Sequence, residues 1–453
     1  MKNKILKTTL ALTVSLLTSE LYAAVSASDA ARLDKDLTPF GAVREASADG
    51  LIPAWDGGLT SAVPNSNSKL PPKLFEDEKP ILSIEKGNMS QYSDKLTDGV
   101  RYMLEKYPGF KLEVYQSRRT AAAPQYVYDR TKKNAEVMEL DVATQQANFD
   151  KYAGGVPFPI PKNGDEAILN TQRNWRGPQS TSTQATWLVT ANGRKTKTNA
   201  NLLQVVSLYD QPGDNSNIPF NGGLWMTSII SSVYPPYSAG EKMLTHIPLQ
   251  INGTKVNAWT YLQGQRRLRK SPNVQYDVPN NFTSGLINFD DSWGFGGATD
   301  RYNWTLIGRE ERYVPYNGNN MAYVPVDSLL GEKFVNPQYL RWELHRVWVV
   351  EGNLKTGMRH VVPKRRFYID EDTWSIVATD QWDAKGKLWK THMMPHYVFP
   401  QVPATLLVPQ IVYNLQAGDY GVMGVIDEGS EINFNKLSDS MYTPQYLERS
   451  GVR

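Results

Sequence analysis

Histidine and carboxylate pairs are the residues of this chain whose spacing could support acid–base or metal chemistry. His392 and His396 have the four-residue spacing of helical zinc ligands, but Pro395 lies between them and would break the helix that aligns them. Glu343 and His345 are two residues apart and share a face if their segment is a strand. The first pair therefore indicates a structural role. The second is either an acid–base pair or, as we favour, part of a buried ion-pair lattice between strands.

Motifs for other kinds of catalysis are missing from the sequence. The chain has no cysteine, no GxSxG nucleophile elbow, no HExxH zinc motif and no glycine-rich phosphate-binding motif. A pair of carboxylates that hydrolyses glycans could still be present, because such pairs meet in space rather than in sequence. The candidates are Asp290, Asp291, Asp300, Glu310 and Glu311. A carboxylate-dependent glycan hydrolase is therefore kept as an alternative function.

A basic stretch over residues 265–270 could bind negative charge. On a strand, Arg267 and Arg269 share one face, and Arg266 and Lys270 share the opposite face. Guanidinium groups bind carboxylates and phosphates through paired hydrogen bonds. Arg266, Arg267 and Arg269 are thus candidate contacts for an anionic headgroup or an acidic partner. The other interpretation is a solvated strand face with local ion pairs.

Apolar side chains that alternate along strands could form a hydrophobic binding surface. A strongly curved half-barrel lined by such residues, and roofed by a helix over residues 90–107, would enclose an apolar cavity. The alternative is that the same residues fill an ordinary core. The candidate ligand contacts are Trp259, Tyr261, Trp348, Val350, Phe367 and Ile369.

Antiparallel strands must position these residues. Polar turn clusters separate short aromatic and β-branched runs, and Asn192-Gly193 is a strong hairpin signal between two of them. Residues 365–389 continue the pattern as a meander with two polar turns. No alternation of strands and helices appears, which argues against a doubly wound fold. Helices are predicted over residues 28–37, 88–107, 131–151 and 165–174.

The N-terminus has the pattern of a secretory signal peptide. Three lysines precede a short apolar stretch and small residues, and the stretch is too short to span a bilayer. We expect cleavage after Ala23, or alternatively after Ala27, and a periplasmic location in a Gram-negative envelope. The 49 basic and 46 acidic residues nearly balance, so nucleic acid is not an expected partner. The predicted organisation is a signal peptide (1–23), an N-terminal helix with an extended arm (24–85), and one β-rich domain with helical inserts (86–453).

Two sets of residues carry a resemblance to a known family. The meander around Phe367-x-Ile369-Asp370 resembles hairpins of the LolA/LolB-like carriers, which hold acyl chains in an open β-barrel. Trp259-x-Tyr261-Leu262 followed by Arg266-Arg267-x-Arg269 resembles a pattern of LolA-like lipoprotein-sorting proteins, which often accompany RND-type exporters. Over nearly its whole mature length, the chain resembles the proteobacterial domain-of-unknown-function family 1329, grouped with LolA and LolB by fold. The phrases that carry this resemblance include residues 37–41, 52–55, 259–267 and 341–351.

The resemblance implies an α+β fold, in which helices cover the concave face of a strongly curved, open antiparallel sheet. It also implies a periplasmic, non-enzymatic carrier for a lipidic or hydrophobic ligand, such as lipoprotein acyl chains, a lipid or another hydrophobic molecule. An RND-type transporter or an outer-membrane protein would be the partner, and contact with the membrane would be peripheral at most. No cofactor and no metal are expected. Besides the hydrolase, an envelope scaffold or interaction protein is kept as an alternative.

Overall fold

A computed structural model describes residues 21–22, 24–63, 69–149, 154–213, 223–271, 275–427 and 429–451. The strands are β1 (Leu21–Tyr22), β2 (Leu82–Ile84), β3 (Leu112–Val114), β4 (Leu140–Asp141), β5 (Gln146–Ala147), β6 (Gln179–Val189), β7 (Lys195–Ser207), β8 (Leu224–Tyr234), β9 (Lys242–Pro248), β10 (Asn257–Leu262), β11 (Arg267–Ser271), β12 (Tyr302–Pro315), β13 (Arg341–Leu354), β14 (Lys364–Asp370), β15 (Ile376–Trp382), β16 (Leu388–Met393), β17 (Tyr397–Phe399), β18 (Ala404–Leu406), β19 (Gln410–Asn414), β20 (Asp419–Val425) and β21 (Ile432–Asn433). The α-helices are α1 (Ala27–Ala30), α2 (Asp98–Lys106), α3 (Gln125–Val137), α4 (Gly164–Gln172), α5 (Val326–Leu329) and α6 (Pro444–Gly451).

One 16-stranded sheet dominates the fold. Its main path runs β11-β10-β9-β8-β7-β6-β20-β19-β16-β15-β14-β13-β3-β2, with β12 beside β13 and β21 beside β6. Neighbours pair antiparallel except β3 and β13, which are parallel. Among the described strands, the end strands β11 and β2 do not pair with each other, so the sheet stays open. The predicted α+β fold with an open, mostly antiparallel sheet is confirmed.

Side-chain alternation gives this sheet two faces, which we call inner and outer. The inner face is the one to which Val350, Phe367 and Val412 point, because they belong to one row of paired residues that crosses β13 to β19. Helix α4 packs on this face, where Ala167 and Ile168 share a hydrophobic cluster with Val350 and Phe367.

Helices also cover the outer face. At the start of α2, the Gly99 N–H donates to Asp380 Oδ1 at 3.1 Å, and Asp380 points away from the inner face because it follows Thr379 of the row. Helix α6 packs farther along, where Leu447 shares a cluster with Ile229 and Leu244. The sheet is therefore sandwiched by helices rather than covered on one side only.

Three predicted helices differ from the observed ones. The helix predicted over 28–37 is observed as α1 followed by a 3₁₀ segment (Ala31–Asp34). In place of one helix over 88–107, a 3₁₀ segment (Met89–Lys95) is followed by α2, which begins where the Thr97 side chain accepts a hydrogen bond from the Val100 N–H. Because α2 lies on the outer face, it does not roof the cavity described below. The helix predicted over 131–151 is observed earlier, as α3. The chain then turns into β4 and β5, which bury Leu140 and Ala147.

The predicted signal peptide falls almost entirely outside the described residues. Of its 23 residues, only Leu21–Tyr22 are described, and they pair with β4. Cleavage after Ala23 thus stays a prediction, and it would remove β1 from the mature chain. None of the described helices is long and apolar enough to cross a membrane.

Candidate functional site

A cavity of about 210 Å³ lies against the inner face of one half of the sheet, strands β6 to β11, which we call the wing. The wing contributes side chains from β6, β7, β8 and β9, and the opposite wall comes from the segment 275–298, which we call the cover segment. Its apolar lining includes Leu203, Ile230, Met243, Ile247, Ile251, Ile287, Phe289, Trp293, Leu407 and Met423. Polar side chains from Gln184, Asn201, Ser228, Thr245, Gln275 and Gln410 are interspersed. The site is therefore a mainly apolar chamber with a few hydrogen-bonding groups.

Strand register explains why these residues meet in the cavity. Leu203 of β7 is paired with Ile230 of β8, which is paired with Met243 of β9. Side chains of directly paired residues project from the same face of an antiparallel sheet. The neighbours Ile229 and Leu244 point to the outer face, under α6. On β6 to β9, the side chains that line the cavity are therefore two residues apart along each strand.

The cover segment contains a residue, Trp293, whose backbone conformation is rare for residues other than glycine. Trp293, which lines the cavity, has φ 54°, in the left-handed region that costs a non-glycine residue about 1–2 kcal/mol. Its ring lies 5.4 Å from the Arg176 guanidinium carbon. A Cβ on Gly297 would lie 2.4 Å from the Asp290 Cβ, so only glycine fits there. Gly297 thus permits a tight turn within the cover segment, in which residues 290 and 297 lie against each other.

Two buried aspartates anchor the cover segment to the sheet. Asp290 Oδ2 is hydrogen-bonded to His360 Nε2 at 2.9 Å and lies 3.2 Å from Arg365 Nη1. Asp291 Oδ1 accepts a hydrogen bond from Gln381 Nε2 at 2.8 Å. Burial alone would raise the pKa of Asp291, but the nearby positive charge of Arg365 lowers it below its usual value. Asp291 is therefore ionised, and in this form it holds the segment against the sheet.

Two predicted ligand contacts lie on the other side of the wing. Trp259 is paired with Leu244 and belongs, with Tyr261, to the hydrophobic cluster that α6 covers. The sequence correctly places the two aromatic side chains on one face, but that face is the outer one. The intervening Thr260 is paired with Met243 and points to the inner face.

The other four predicted contacts lie in a packed part of the inner face. Val350, Phe367 and Ile369 are fully buried in the cluster that includes α4, and Trp348 packs against that cluster. The rings of Trp348 and Trp374 stack with centroids 5.9 Å apart. None of the six predicted residues is among the cavity-lining residues described above. Their contact with a ligand stays a prediction.

The three predicted arginines lie at the open edge of the wing. Arg266 is in the turn before β11 with φ 46°, and Arg267 and Arg269 are exposed on β11. Arg269 is paired with Thr260, so Arg267 and Arg269 project from the inner face. Lys270 points to the outer face, where its Nζ lies 5.6 Å from the Trp259 ring centroid.

Glu343 and His345 belong to a buried ion-pair lattice, as predicted. His345 Nε2 lies 2.9 Å from Glu343 Oε2, and Nδ1 lies 3.8 Å from Asp370 Oδ1. His345, Asp370 and Asp372 bring possible metal-ligand atoms within 4.8 Å of one another. However, both oxygens of Asp372 accept hydrogen bonds from Arg119, at 2.6 and 2.8 Å. This guanidinium already neutralises the carboxylate that a cation would need, so we interpret the group as structural.

His392 and His396 do not form a helical pair. His392 lies in β16, where its Nδ1 is hydrogen-bonded to Gln410 Nε2 at 3.2 Å, and burial lowers its pKa to about 4. His396 lies beyond that strand, with its ring edge-on to Tyr316 at 4.3 Å between centroids. The two imidazoles therefore have separate structural surroundings.

The carboxylates considered for glycan hydrolysis already have partners within the protein. Asp300 accepts a hydrogen bond from Tyr276 Oη at 2.9 Å. Glu310 pairs with Arg312, and Glu311 lies 3.0 Å from Lys95 Nζ. Asp290 and Asp291 anchor the cover segment, as described above. Each of the five carboxylates is thus engaged within the protein, although Asp290 also lines the cavity.

The sequence interpretation missed the cover segment and the inner-face residues of β7 to β9. Met243 and Ile247 are four residues apart, so they share one face of a strand, and this spacing was a usable signal for an apolar face. Leu244, on the opposite face, is equally apolar, so this signal does not say which face remains open.

The chain is similar to several known proteins. A family model described as "Protein of unknown function (DUF1329)" matches residues 83–448. The uncharacterized protein PA3922 of Pseudomonas aeruginosa is 37% identical over 463 residues, which cover 99% of each chain. Among solved structures, the chain is similar to a DUF1329 family protein from Desulfovibrio piger, with a TM-score of 0.40 and 14% identity over 60% of this chain and 92% of that one.

A second solved structure is the LolA superfamily protein NE2245 from Nitrosomonas europaea. The TM-score is 0.36 and the identity 12%, over 63% of this chain and 100% of that chain. Both structural similarities are weak, and the function proposed below rests on the cavity of this chain.

Proposed function

Because the chain belongs to the DUF1329 family, whose description gives no activity, we propose from its cavity that it is a non-enzymatic carrier or binding protein for a hydrophobic ligand. The observation that carries the proposal is the apolar chamber between the wing and the cover segment. A volume of about 210 Å³ is below the ~300–1,000 Å³ of common ligand pockets. The chamber therefore suits one acyl chain or a small apolar molecule.

Transfer of apolar surface from water would drive binding. Each buried methylene contributes about 0.8 kcal/mol, so a segment of about six methylenes contributes roughly 5 kcal/mol before ordering costs. Asn201 lines the cavity, and its amide oxygen is buried without a hydrogen-bond partner among the described residues, so it can accept a hydrogen bond from a polar group on the ligand. Such binding needs no covalent step.

The finer parts of the proposal concern the compartment, the ligand and the partner. The signal-peptide pattern supports a periplasmic location, where an acyl chain needs protection from water. Lipoprotein acyl chains, a lipid or another hydrophobic molecule are the ligand classes that we propose. An RND-type transporter or an outer-membrane protein is the proposed partner for exchange.

The two alternatives have weaker support. A glycan hydrolase needs two carboxylates that face a substrate, whereas the five candidates are engaged within the protein, for example Glu311 with Lys95. An interaction protein would use exposed aromatic residues, and Tyr237 is 90% exposed at the turn between β8 and β9. Tyr234 and Val233 nearby are also exposed, at 37% and 53%, but this group lies at one turn and is a small contact, so the cavity remains the better-supported site.

The proposal is tested by binding of the neutral apolar dye N-phenylnaphthylamine to the mature chain. We expect saturable fluorescence enhancement, and about tenfold weaker binding by Leu203→Gln, which puts an amide into the cavity wall. Leu202→Gln is the matched control, because the same substitution on the neighbouring residue points to the outer face. Native mass spectrometry of the chain isolated from periplasm should show a bound lipid-sized mass. Absence of dye binding by the unsubstituted chain would refute the carrier function.

A further inference from the structure

We propose that the ligand is an anionic amphiphile, whose carboxylate or phosphate group is bound by Arg267 and Arg269 while its apolar part occupies the cavity. The inference rests on the proposed function, since it assigns the chemistry of the ligand's polar end. It is carried by the register of the wing, the exposure of the two arginines and their lack of partners.

Strand register connects the cavity with the arginines on one face. The row of paired residues that begins with Leu203, Ile230 and Met243 in the cavity continues through Thr260 of β10 and ends at Arg269 of β11. Paired side chains in an antiparallel sheet project from the same face. Strands are about 4.8 Å apart, so the Cα of Arg269 lies roughly 10 Å from that of Met243. An extended arginine side chain can cover much of that separation.

The composition of this row changes from apolar to cationic along the sheet. Leu203, Ile230 and Met243 contribute only hydrocarbon and thioether surface, and Thr260 adds a hydroxyl before Arg269 adds a full positive charge. Arg267 lies two residues from Arg269 on the same strand and the same face. An amphiphile has the same order of apolar body and charged end, and would lie along this row.

The two guanidinium groups are available for a ligand. Both residues are exposed, and within the described part of the chain neither forms an ion pair or a side-chain hydrogen bond. Elsewhere the chain pairs arginines closely, as in Arg365 with Asp290 at 3.2 Å and Arg119 with Asp372 at 2.6 Å. Guanidinium groups bind carboxylates and phosphates with paired hydrogen bonds, so an anion is the chemistry they fit.

Lys270 shows that positive charge alone is not the distinguishing feature. It occupies the same edge strand, but it points to the outer face and lies over the Trp259 ring. Charged residues on an edge strand also discourage pairing with other chains, and that role would use either face equally. A ligand in the cavity would contact Arg267 and Arg269 but not Lys270, and the experiment measures this difference.

The experiment compares dansyl undecanoic acid with its methyl ester, which has the same apolar body without the charge. At low ionic strength, we expect the full mature chain to bind the acid about fivefold to tenfold more tightly than the ester, as two exposed ion pairs allow. The preference should fall to about one in the Arg267→Ala/Arg269→Ala double variant, and in roughly 1 M salt, where the Debye length is about 3 Å. Lys270→Ala should retain the preference. Affinity for the ester should be unchanged in both variants, which also shows that they are folded.

Each other outcome has a definite meaning. Equal binding of acid and ester by the unsubstituted chain, or a preference that survives in the double variant, overturns this inference and leaves the carrier function standing. Binding of neither probe refutes the carrier function itself. If inorganic phosphate displaces dansyl undecanoic acid and binds as tightly as the acid, the ligand is a free anion and the amphiphile is overturned. Weak displacement by phosphate supports the amphiphile, because the apolar part then contributes most of the affinity.

Discussion

Replacing Ile229 or Ile230 with alanine should have opposite consequences, although the two residues are adjacent in β8. Ile229 is 2% exposed and packed beneath α6, so its truncation leaves a void in a closed core. We expect the free energy of unfolding to fall by about 2–4 kcal/mol, the cost of lost apolar burial plus the void. Ile230 is partly exposed and faces a cavity that already exists. Its truncation enlarges that cavity without opening a new one, so we expect a loss of about 1 kcal/mol or less.

Ligand binding should show the reverse order. The change from isoleucine to alanine removes about three methylene equivalents, or roughly 2 kcal/mol of contact with a ligand that covers Ile230. We therefore expect about tenfold to fiftyfold weaker binding of N-phenylnaphthylamine by Ile230→Ala, and little change for Ile229→Ala at temperatures where it is folded. Urea unfolding followed by tryptophan fluorescence measures stability, and dye titration measures affinity. Equal destabilisation by both substitutions, or weaker dye binding by Ile229→Ala alone, would show that the assignment of faces is wrong.

Three further predictions concern the elements around the cavity. Leu447→Ala should lower the free energy of unfolding by about 2–4 kcal/mol and increase hydrogen exchange in β9 and β10, because Leu447 is fully buried between α6 and the wing. Arg365→Met should cost about 3–5 kcal/mol in urea unfolding, since it leaves Asp290 and Asp291 buried without their cation, and an unchanged midpoint would contradict the anchoring role. Burial raises the pKa of Asp380 from 3.8 to about 6. Between these two pH values the folded state binds more protons than the unfolded state, so the free energy of unfolding should fall as pH rises from about 4 to about 6. Asp380→Asn should flatten that part of the curve of unfolding free energy against pH, and an unaltered slope would count against the shifted pKa.

Hairpins were the most predictable part of the fold, because short-range turn chemistry determines them. Asn192-Gly193 was predicted to separate two strands, and Gly193 has φ 84° in the turn between β6 and β7. The helix over 165–174 was also predicted closely and is observed as α4. The helix over 131–151 was misplaced, because contacts with residues far along the chain decide its end. Leu140 and Phe149, for example, pack in a cluster with Trp225.

The site was less predictable than the fold. Alternation of side chains along a strand shows which residues share a face, but it does not show which segment packs against that face. The sequence indicated that Trp259 and Tyr261 share a face, and they do. Whether that face binds a ligand depends on α6, which begins at Pro444, nearly two hundred residues later. The inner-face residues carry no stronger local signal than their neighbours. A period of two predicts the strand, but only the packing of distant segments reveals which face stays open.

The division of the wing into two faces has an evolutionary consequence. Residues that shape the cavity, such as Ile230 and Met243, alternate with Ile229 and Leu244, which hold α6 in place. Mutations at the first set alter the chamber with little loss of stability, whereas mutations at the second set are removed by selection for folding. We therefore expect the cavity-lining positions to vary more among relatives than the positions under α6, while the scaffold is retained.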